Sequence, residues 1–550
     1  MTDTPSDPVR ATASFPASPS DTVKIPRVAK PSFLDLPATQ LRIWECGAGP
    51  ALLVLPGLVN SPQAICAQVS DAYPDHRIVA LELPGLGASP ATVGQNLQTL
   101  ASMVDAVLAR LENVAGCVAF DLSIPVVLRS AMARELNSRL LLVDLRKARW
   151  LARSLPDCGT LALDHDGTYL NRLWNHVRDI DMLESTEPRR PRGEGTYKTP
   201  EELDEVFLCF AVQPSAYAEL WKLLAAEIGQ LDDPQVSSST IVESLSHATA
   251  DLFSAPAVRF AGEPTSAPST LKIRRGYEDM SSGRMHFRTS GSGDSCVVAL
   301  LAGPFSSALL TPLLLALGDN HTIVAPDYIG QGDSCRSPEE TTIARAAADI
   351  DELTRKLGWS QYSVYGTQTG AGVALEAAIA FPHRVKSVVI DSCSMQHASE
   401  RIEHRIRYFP SIEPDSWGSH VFKTFNVLKD GEIFWPWYLP SSASAKESTS
   451  SGLGRLHDSV ICTLRSRTTP VYRSMSSYEA RKRLSEVHQP VLFVTGPKDI
   501  FKNYMPEAQK LAPDNFTFMD VPATVWAAKG DPASVAETCA IFDAFFMEND

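Results

Sequence analysis

The feature that most limits what this chain can fold into is an internal repeat within its 550 residues. Three pairs of segments match in the same order: 78–89 with 323–334, 118–144 with 365–391, and 167–179 with 418–430. The shifts between partners are 245, 247 and 251 residues. Matches in one order with nearly one shift predict a duplicated domain, because chance similarity would not keep the order.

Short aliphatic runs alternate with helical patterns in both halves. In the first half the runs are 51–55, 78–81 and 140–143, and in the second half they are 297–301, 323–325, 385–390 and 491–495. Continuous Val, Ile and Leu runs separated by helices are typical of a parallel sheet that is buried on both faces. The sequence therefore predicts an α/β fold with two parallel-sheet domains in tandem, each with a helical cap.

Composition sets the predicted domain boundaries. Residues 1–38 are rich in Pro, Ser, Thr and Asp and predict a disordered leader. A polar stretch at 259–272 predicts a linker between a first domain, 39–258, and a second domain, 273–550, with its cap at about 396–488. No clear late strand follows Leu224, so we expect the first domain to be truncated.

Charge and cysteine usage narrow the expected partners. The formal net charge is −14 and no basic cluster stands out, which argues against nucleic acid and against an anionic membrane. The ten cysteines contain no CxxC pair, so we expect no metal site and no cofactor. No signal peptide and no long apolar run is present, and we expect a cytoplasmic protein that binds a small molecule.

The second half resembles the α/β-hydrolase superfamily over about residues 274–547. The segment Asp327–Ser334 resembles the family's D-x-x-G-x-G-x-S turn, and 363–372 resembles its strand, sharp turn and helix. A helical insertion follows where such enzymes carry a cap. The first half resembles the same pattern from about 41 to 227, and the two caps resemble those of bacterial hydrolases of small carboxylic esters and ring-fission products.

The resemblance places the nucleophile at the centre of a small-x-Nu-x-small turn, where only small flanking residues fit. In the second half this centre is Gln368, an amide that has no ionisable proton and is no nucleophile. In the first half the central residue is Asp121. The resemblance implies that a carboxylate at this position can be the nucleophile, as it is in the dehalogenase-like branch of the family. The alternatives are a vestigial turn at Gln368 and a solvated or helix-capping Asp121.

The resemblance further implies an acid at Asp499 or Asp391, although both are equally consistent with ordinary loop or capping carboxylates. The histidine it would place within 522–530 is absent. Two histidines of the second cap, His420 and His457, are candidate bases, with buried or surface structural roles as the alternative. Trp174, His176 and Arg178 in the first cap form a weaker candidate group.

The expected oxyanion donors are backbone N–H groups near Gly303 and Pro304 and at Thr369, since such donors need no particular side chain. Trp435 and Trp437 lie in the aromatic run 434–438 and are candidates for a substrate-pocket wall or for cap packing. Ser306 and Ser334 are conceivable displaced nucleophiles, but the sequence shows no base for either.

Two functions remain open on the sequence. One is an enzyme that acts on a small ester, thioester or carboxylated organic substrate by a non-serine, hydrolase or lyase-type mechanism. The other is a catalytically inactive protein that keeps the hydrolase fold for binding or as a scaffold. In either case we expect the two halves to pack on each other, as subunits of a dimer do.

Overall fold

The computed structural model describes residues 28–155, 157–184, 197–231, 239–249, 251–260, 270–337, 341–442, 444–446, 452–467, 469–497, 499–525 and 531–550. No helix within these ranges is long and apolar enough to cross a membrane. The described residues form two mixed, mainly parallel sheets, one in each half, with helices around them. The predicted fold class is confirmed.

The first sheet has seven strands: β1 (Lys30–Leu36), β2 (Thr39–Cys46), β3 (Ala51–Leu55), β4 (Arg77–Leu81), β5 (Val114–Phe120), β6 (Leu140–Val143) and β7 (Thr240–Val242). Their order is β1-β2-β4-β3-β5-β6-β7. Strand β2 pairs antiparallel with β1 and β4, and every other pair is parallel. The central strands β3, β5 and β6 are buried along their whole length, as their aliphatic sequences predict.

The second sheet has eight strands: β8 (Ile273–Met280), β9 (Gly283–Ser290), β10 (Ser295–Leu300), β11 (His321–Pro326), β12 (Tyr362–Thr367), β13 (Val385–Asp391), β14 (Val491–Thr495) and β15 (Phe516–Asp520). Their order is β8-β9-β11-β10-β12-β13-β14-β15. Only β9 pairs antiparallel, with β8 and β11. The first seven strands therefore repeat the order of the first sheet.

The acidic turn after β4 has the same hydrogen bond as the turn after β11. In the first half the N–H of Ala88 donates to the Glu82 carboxylate at 2.9 Å. In the second half the N–H of Asp333 donates to the Asp327 carboxylate at 2.9 Å. Both acids are fully buried, and in each turn this bond is one of several that satisfy the carboxylate.

The helices of the first half are α1 (Pro62–Ala72), α2 (Leu97–Leu108), α3 (Ile124–Arg129), α4 (Ala131–Glu135), α5 (Leu145–Ser154), α6 (Thr168–Glu184), α7 (Pro200–Ala211) and α8 (Pro214–Gly229). Helices α5–α8 lie between β6 and β7 and form the first helical insertion. Its start signals are visible in the sequence: Thr199 and Glu202 form a capping box at α7, with Pro200 in the first turn.

The helices of the second half are α9 (Thr311–Leu317), α10 (Ile343–Lys356), α11 (Thr369–Ala380), α12 (Ala398–Arg407), α13 (Ser419–Ile433), α14 (Leu453–Ser466), α15 (Pro470–Met475), α16 (Ala480–Arg483), α17 (Met505–Leu511) and α18 (Pro532–Glu548). Helices α12–α16 lie between β13 and β14 and form the second helical insertion. They fall within the range predicted for the second cap.

Two predicted boundaries differ from the structure. Strand β1 falls inside the predicted leader 1–38, because its residues pair along the whole of β2; residues 1–27 lie outside the described part. Strand β7 follows Leu224 and pairs with β6, although no late strand was expected there. A three-residue strand gives too short an apolar run for the sequence to reveal it. Most of the predicted linker, 261–269, lies outside the described residues.

The two helical insertions contact each other through residues that the repeat equates. A Cβ added to Gly167 would lie 2.7 Å from the ring of Phe425, and one added to Gly418 would lie 2.6 Å from the ring of Trp174. At the shift of 251, Gly167 corresponds to Gly418 and Trp174 to Phe425. The contact is therefore made twice with the halves exchanged, which is the pattern of a two-fold dimer interface.

Candidate active site and ligand pocket

The first candidate site is the elbow at Asp121, directly after β5. The residue has a φ of 36°, in the left-handed region that a sharp strand-to-helix turn imposes. Its Oδ1 accepts hydrogen bonds from the N–H of Leu58 at 2.9 Å and of Leu122 at 2.5 Å. Two backbone donors converging on one oxygen are the arrangement that stabilises an oxyanion. Oδ2 forms no hydrogen bond with the described residues.

Burial raises the pKa of Asp121 to about 6, against the opposing effect of its two backbone hydrogen bonds and of Lys147. The carboxylate is therefore mostly ionised at neutral pH. Its side chain is 4% exposed, so the alternative of a solvated carboxylate is wrong. The loop after β3 can approach the Asp121 carboxylate this closely because residue 57 is glycine. An added Cβ would lie 2.2 Å from the carboxylate, and the φ of Gly57 is +81°.

A tyrosine of the first insertion contacts the loop of this elbow, and a histidine packs against that tyrosine. The hydroxyl of Tyr217 donates to the carbonyl of Leu58 at 3.3 Å, and its ring lies 5.9 Å from the imidazole of His176. The His176 Nε2 is buried and has no hydrogen-bond partner among the described residues. Burial lowers the pKa of His176 to about 4, so the ring is neutral at pH 7 and holds an added proton only weakly.

The second candidate site is the elbow at Gln368, after β12. Its φ is 48°, and its N–H donates to the carbonyl of Ser392 at 2.8 Å. The pairing of the strands places Gly303 where Leu58 lies in the first half. There the Gly303 N–H donates to the Thr369 hydroxyl at 3.4 Å. The second elbow thus keeps the turn, but one of its backbone donors, the N–H of Gly303, is already hydrogen-bonded to the side chain of Thr369.

The two predicted acids lie close to each other. Asp391 accepts a 2.6 Å hydrogen bond from the Tyr365 hydroxyl, while Asp499 accepts from the Ser392 hydroxyl at 2.7 Å and the Phe501 N–H at 2.8 Å. One oxygen of each carboxylate is buried without a hydrogen bond among the described residues. Burial raises the pKa of Asp391 to about 7, with a further contribution from the charge of Asp499, whose own pKa burial also raises.

The counterpart of Asp144 in the second half is Ser392, not Asp391 as the gapless alignment predicted. Asp144 and Ser392 have left-handed φ values of 61° and 68°. Their N–H groups donate to the equivalent strand carbonyls of Val242 and Val494, at 2.9 and 3.1 Å. An irregularity in the pairing of β12 with β13 shifts the register by one residue, which the sequence alone does not show.

The two predicted bases are engaged at the contact between the halves. His420 Nε2 donates to Asp204 Oδ1 at 3.1 Å, and its Nδ1 accepts from the Asp415 N–H at 3.4 Å. His457 Nε2 donates to the Val212 carbonyl at 3.3 Å, which leaves Nδ1 to accept from the hydroxyl of Tyr169 at 2.9 Å, and burial lowers the pKa of His457 to about 4. Both nitrogens of each ring are therefore occupied by groups other than the Gln368 side chain.

The aromatic run 434–438 packs around a histidine that the sequence analysis missed. The ring of Trp435 lies 5.1 Å from His404 and 5.7 Å from Phe501, and Trp437 Nε1 donates to the Tyr408 carbonyl at 3.1 Å. His404 is 4% exposed and burial lowers its pKa to about 4. His404 is the buried residue of helix α12, whose two isoleucines, Ile402 and Ile406, are exposed, and no sequence signal indicates this orientation.

A cavity of about 320 Å³ lies inside the second insertion, beside Pro304. The predicted wall residues Trp435 and Trp437 do not line it. The ring of Tyr472 does, and the same side chain covers Gly303, where an added Cβ would lie 2.4 Å from it. Tyr472 therefore stands between this cavity and the backbone donor of the second elbow.

A larger cavity, about 710 Å³, lies between the halves next to a buried ion network. His286 Nδ1 donates to Asp327 at 2.9 Å, and Asp333 is close enough for the three residues to form a potential metal-binding group. However, Asp333 Oδ1 accepts from Arg42 at 3.0 Å and from Arg465 at 2.6 Å. Two guanidinium groups on that oxygen do not suit a metal ligand, so we interpret the network as structural.

The two serines considered as displaced nucleophiles have other partners. The hydroxyl of Ser306 donates to Asp458 at 2.8 Å, and that of Ser334 donates to the carbonyl of Asp327 at 2.7 Å. Neither hydroxyl has an imidazole partner among the described residues, and that of Ser334 accepts from the backbone N–H of His286 at 2.8 Å. Their hydrogen bonds instead hold the loop after β10 and the acidic turn.

The sheet order, the two elbows and the inserted helices define an α/β-hydrolase fold. A model of the alpha/beta hydrolase fold family matches residues 300–411, which supports membership of that superfamily.

Several known proteins match parts of the chain. An uncharacterised protein of Mycobacterium bovis is 27% identical over 146 residues, 26% of this chain and 41% of that protein. Haloalkane dehalogenase 2 of Mycobacterium tuberculosis is 31% identical over 127 residues, 23% of this chain and 44% of that protein. A soluble epoxide hydrolase of Corynebacterium is 35% identical over 91 residues, 16% of this chain and 32% of that protein. The chain thus spans less than half the length of these relatives.

Among solved structures, epoxide hydrolase A from Mycobacterium thermoresistibile matches with a TM-score of 0.41 and 18% identity, over 50% of this chain and 99% of that one.

Proposed function

We propose that the chain is an α/β-hydrolase-fold enzyme with a non-serine mechanism, and that Asp121 is its nucleophile. The observation that carries the proposal is the pair of backbone N–H groups, from Leu58 and Leu122, on a single oxygen of that carboxylate. They fix the side chain in one orientation and leave Oδ2 for the substrate. Although burial raises its pKa to about 6, the carboxylate is still mostly ionised at neutral pH, and burial makes it more reactive.

The substrate class that suits a carboxylate nucleophile is an alkyl electrophile, a haloalkane or an epoxide. Asp121 Oδ2 forms a bond to the saturated carbon, and the carbon–halogen or carbon–oxygen bond breaks with its electron pair on the leaving group. The product is an alkyl ester of Asp121. Attack on an ester substrate would instead give a high-energy anhydride. The relatives named haloalkane dehalogenase and soluble epoxide hydrolase support this choice.

Hydrolysis of the intermediate would use the same donors. Water attacks the carbonyl carbon of the Asp121 ester, and the negative charge develops on Oδ1, between the N–H groups of Leu58 and Leu122. The proton of the water passes to His176, the neutral histidine of the first insertion with an unpartnered buried nitrogen. The ester then breaks to release the alcohol and regenerate the carboxylate.

The test is detection of the ester by intact-protein mass spectrometry after incubation with styrene oxide or 1-bromobutane, followed by peptide mapping. We expect an adduct on the peptide containing Asp121, no adduct in Asp121→Asn, and greater accumulation in His176→Gln. Gln368→Asn is the matched control at the equivalent elbow and should leave the adduct unchanged. Absence of adduct and of product with both probe classes, in wild type and in His176→Gln, would refute the proposal.

A duplication of one hydrolase domain, with the halves joined like the subunits of a dimer, is also part of this proposal. It is supported by the shared strand order, by the identical carboxylate bonds of the acidic turns, and by the repeated glycine–aromatic contact. In such an arrangement each half stabilises the other, and one site can lose its chemistry while the pairing persists.

A second candidate function, ligand binding without catalysis, is favoured for the second half. Gln368 supplies no nucleophile. His420 and His457, the candidate bases for this elbow, form hydrogen bonds with the first half instead. The cavity within the second insertion remains open to a small molecule. We therefore assign catalysis to the first elbow and binding to the second insertion.

A further inference from the structure

We propose that the 320 Å³ cavity of the second insertion binds a small apolar molecule that carries a carboxylate group. The inference rests on the second candidate function, ligand binding by the second half, and does not depend on any chemistry at Asp121. A cavity of this size and with mostly apolar walls is typical of a small-molecule site.

The wall of the cavity supplies the apolar contacts. It includes three aromatic rings and several aliphatic side chains, among them Tyr408, Phe409, Tyr472, Pro304, Ile412 and Leu428. The rings of Phe409 and Tyr472 lie 5.1 Å apart in an edge-to-face arrangement, so their relative positions are fixed by packing. A ring or short branched chain fits such a wall better than a polar molecule does.

Two unpartnered donors lie at one end, at the terminus of helix α14. The Thr463 hydroxyl is buried and has no hydrogen-bond partner among the described residues, and the residue is only 7% exposed. Arg467, one turn later, has a buried Nε that also lacks a hydrogen bond in the described part. A buried donor without an acceptor is costly, so an anionic acceptor placed between these two groups would be stabilised by both.

Charge selects an anion over a neutral group. The charged side chains lining the cavity are Arg467, Arg473 and Glu413, a net positive set. Asp204 lies 3.5 Å from Arg467 Nη2, but the same oxygen lies 4.0 Å from Arg336 and its other oxygen accepts from His420, so the carboxylate is shared among three side chains. That contact leaves Nε and the Thr463 hydroxyl for a ligand carboxylate.

The backbone holds Arg467 in place for this role. Arg467 has a φ of 56°, in the left-handed region that non-glycine residues rarely adopt. Its N–H donates to the Thr463 carbonyl at 2.8 Å, which ties the arginine to the turn that carries the second donor. Strain of this kind persists where the surrounding structure fixes it, often beside a ligand.

The experiment is isothermal titration calorimetry of the full chain with phenylacetate and with phenylacetamide, its neutral analogue. We expect the carboxylate to bind and the amide to bind at least about 10-fold more weakly, since hydrogen bonds to a charged group are the stronger ones. Equal affinity for the two probes, or no binding of phenylacetate at millimolar concentration, would overturn the proposal.

Variants locate the site. Arg467→Gln should weaken phenylacetate binding about 10- to 100-fold, and the isosteric Thr463→Val should weaken it less, by about 3- to 10-fold. Leu428→Trp, which fills the cavity, should abolish binding of the acid. Arg407→Gln is the matched control: this arginine lies on the same insertion, pairs with Glu403, and is outside the cavity lining. Unchanged affinity in Arg467→Gln and Leu428→Trp would refute the assignment.

Thermal melts of each variant separate a lost site from a lost fold. Phenylacetate contains no electrophilic carbon for Asp121 to attack, so this titration and the adduct experiment fail independently. Binding of phenylacetate by Asp121→Asn with wild-type affinity is expected, because the two sites lie in different halves.

Discussion

The two elbows have the same backbone and different chemistry. Asp121 and Gln368 both follow a central strand with left-handed φ values, 36° and 48°. At the first, a carboxylate accepts from two backbone donors; at the second, the equivalent donor of Gly303 meets a threonine hydroxyl. Position 57 is glycine, and the equivalent Ala302 has a side chain. The sharp turn is therefore kept where its central residue is an amide as well as where it is a carboxylate.

The largest effect should come from Gly57→Ala. Its Cβ would lie 2.2 Å from the Asp121 carboxylate at a φ of +81°, so the carboxylate must leave its donors. We expect the rate of ester formation to fall about 100-fold or more, because displacement by an ångström costs that much. Ala302→Gly, at the equivalent position of the second half, is the control and should leave the rate within about twofold. Equal rates in Gly57→Ala and wild type would show that the two elbows do not differ in this way.

Substitutions on either side of the contact between the two insertions should lower the free energy of unfolding by similar amounts. Trp174 and Phe425 are fully buried and correspond to each other in the repeat. We expect Trp174→Ala and Phe425→Ala each to lower the free energy of unfolding by about 3–5 kcal/mol, measured by urea denaturation. Trp417→Ala, at a residue 75% exposed, should change it by under about 1 kcal/mol. If one of the two buried substitutions were neutral, the contact would not be symmetric.

The pH dependence should distinguish the carboxylates of the two halves. A buried carboxyl with a raised pKa favours the folded state when protonated, so that stability is present at low pH and lost as pH rises through the raised value. The loss begins near the ordinary aspartate pKa of about 4 and is complete near pH 7 for Asp391 and near pH 6 for Asp121. We expect Asp391→Asn to be more stable than wild type at about pH 8, by about 1–3 kcal/mol, and similar to it only near pH 4, below the pH at which the unfolded carboxyl ionises.

Denaturation at several pH values measures this difference, with the exposed Asp75→Asn as a control that should follow wild type throughout. A constant difference between Asp391→Asn and wild type across the range would contradict the prediction. The rate of ester formation should separately rise with pH around 6, as Asp121 ionises.

The smallest effects should come from the two inter-insertion histidines. His420→Gln and His457→Gln each remove a hydrogen bond to the first half, and we expect a loss of about 1–2 kcal/mol in the free energy of unfolding. Adduct formation at Asp121 and phenylacetate binding should stay within about twofold of wild type. If a variant of unchanged stability lost adduct formation or phenylacetate binding, the substituted histidine would have a functional role and not only a structural one.

The sequence predicted the fold well and the site only in part. Aliphatic runs identified the central strands because burial on both faces requires such residues, and the small-x-Nu-x-small pattern located both elbows. It did not show that Asp121 meets Leu58, or that His457 meets Tyr169, since these pairs are separated by 63 and 288 positions. It also missed His404 and the donors at Thr463 and Arg467.

By itself the sequence determined the repeat, the turns and the absence of a serine at either elbow, because these depend on neighbouring residues and on short-range sterics. Only the tertiary structure decided which groups those turns meet. A histidine is chemically the same at a contact between domains and at an active site, and its role is set by the atoms that fill its two hydrogen-bonding positions. Here the partner of His420 is Asp204, 216 positions away on the other half.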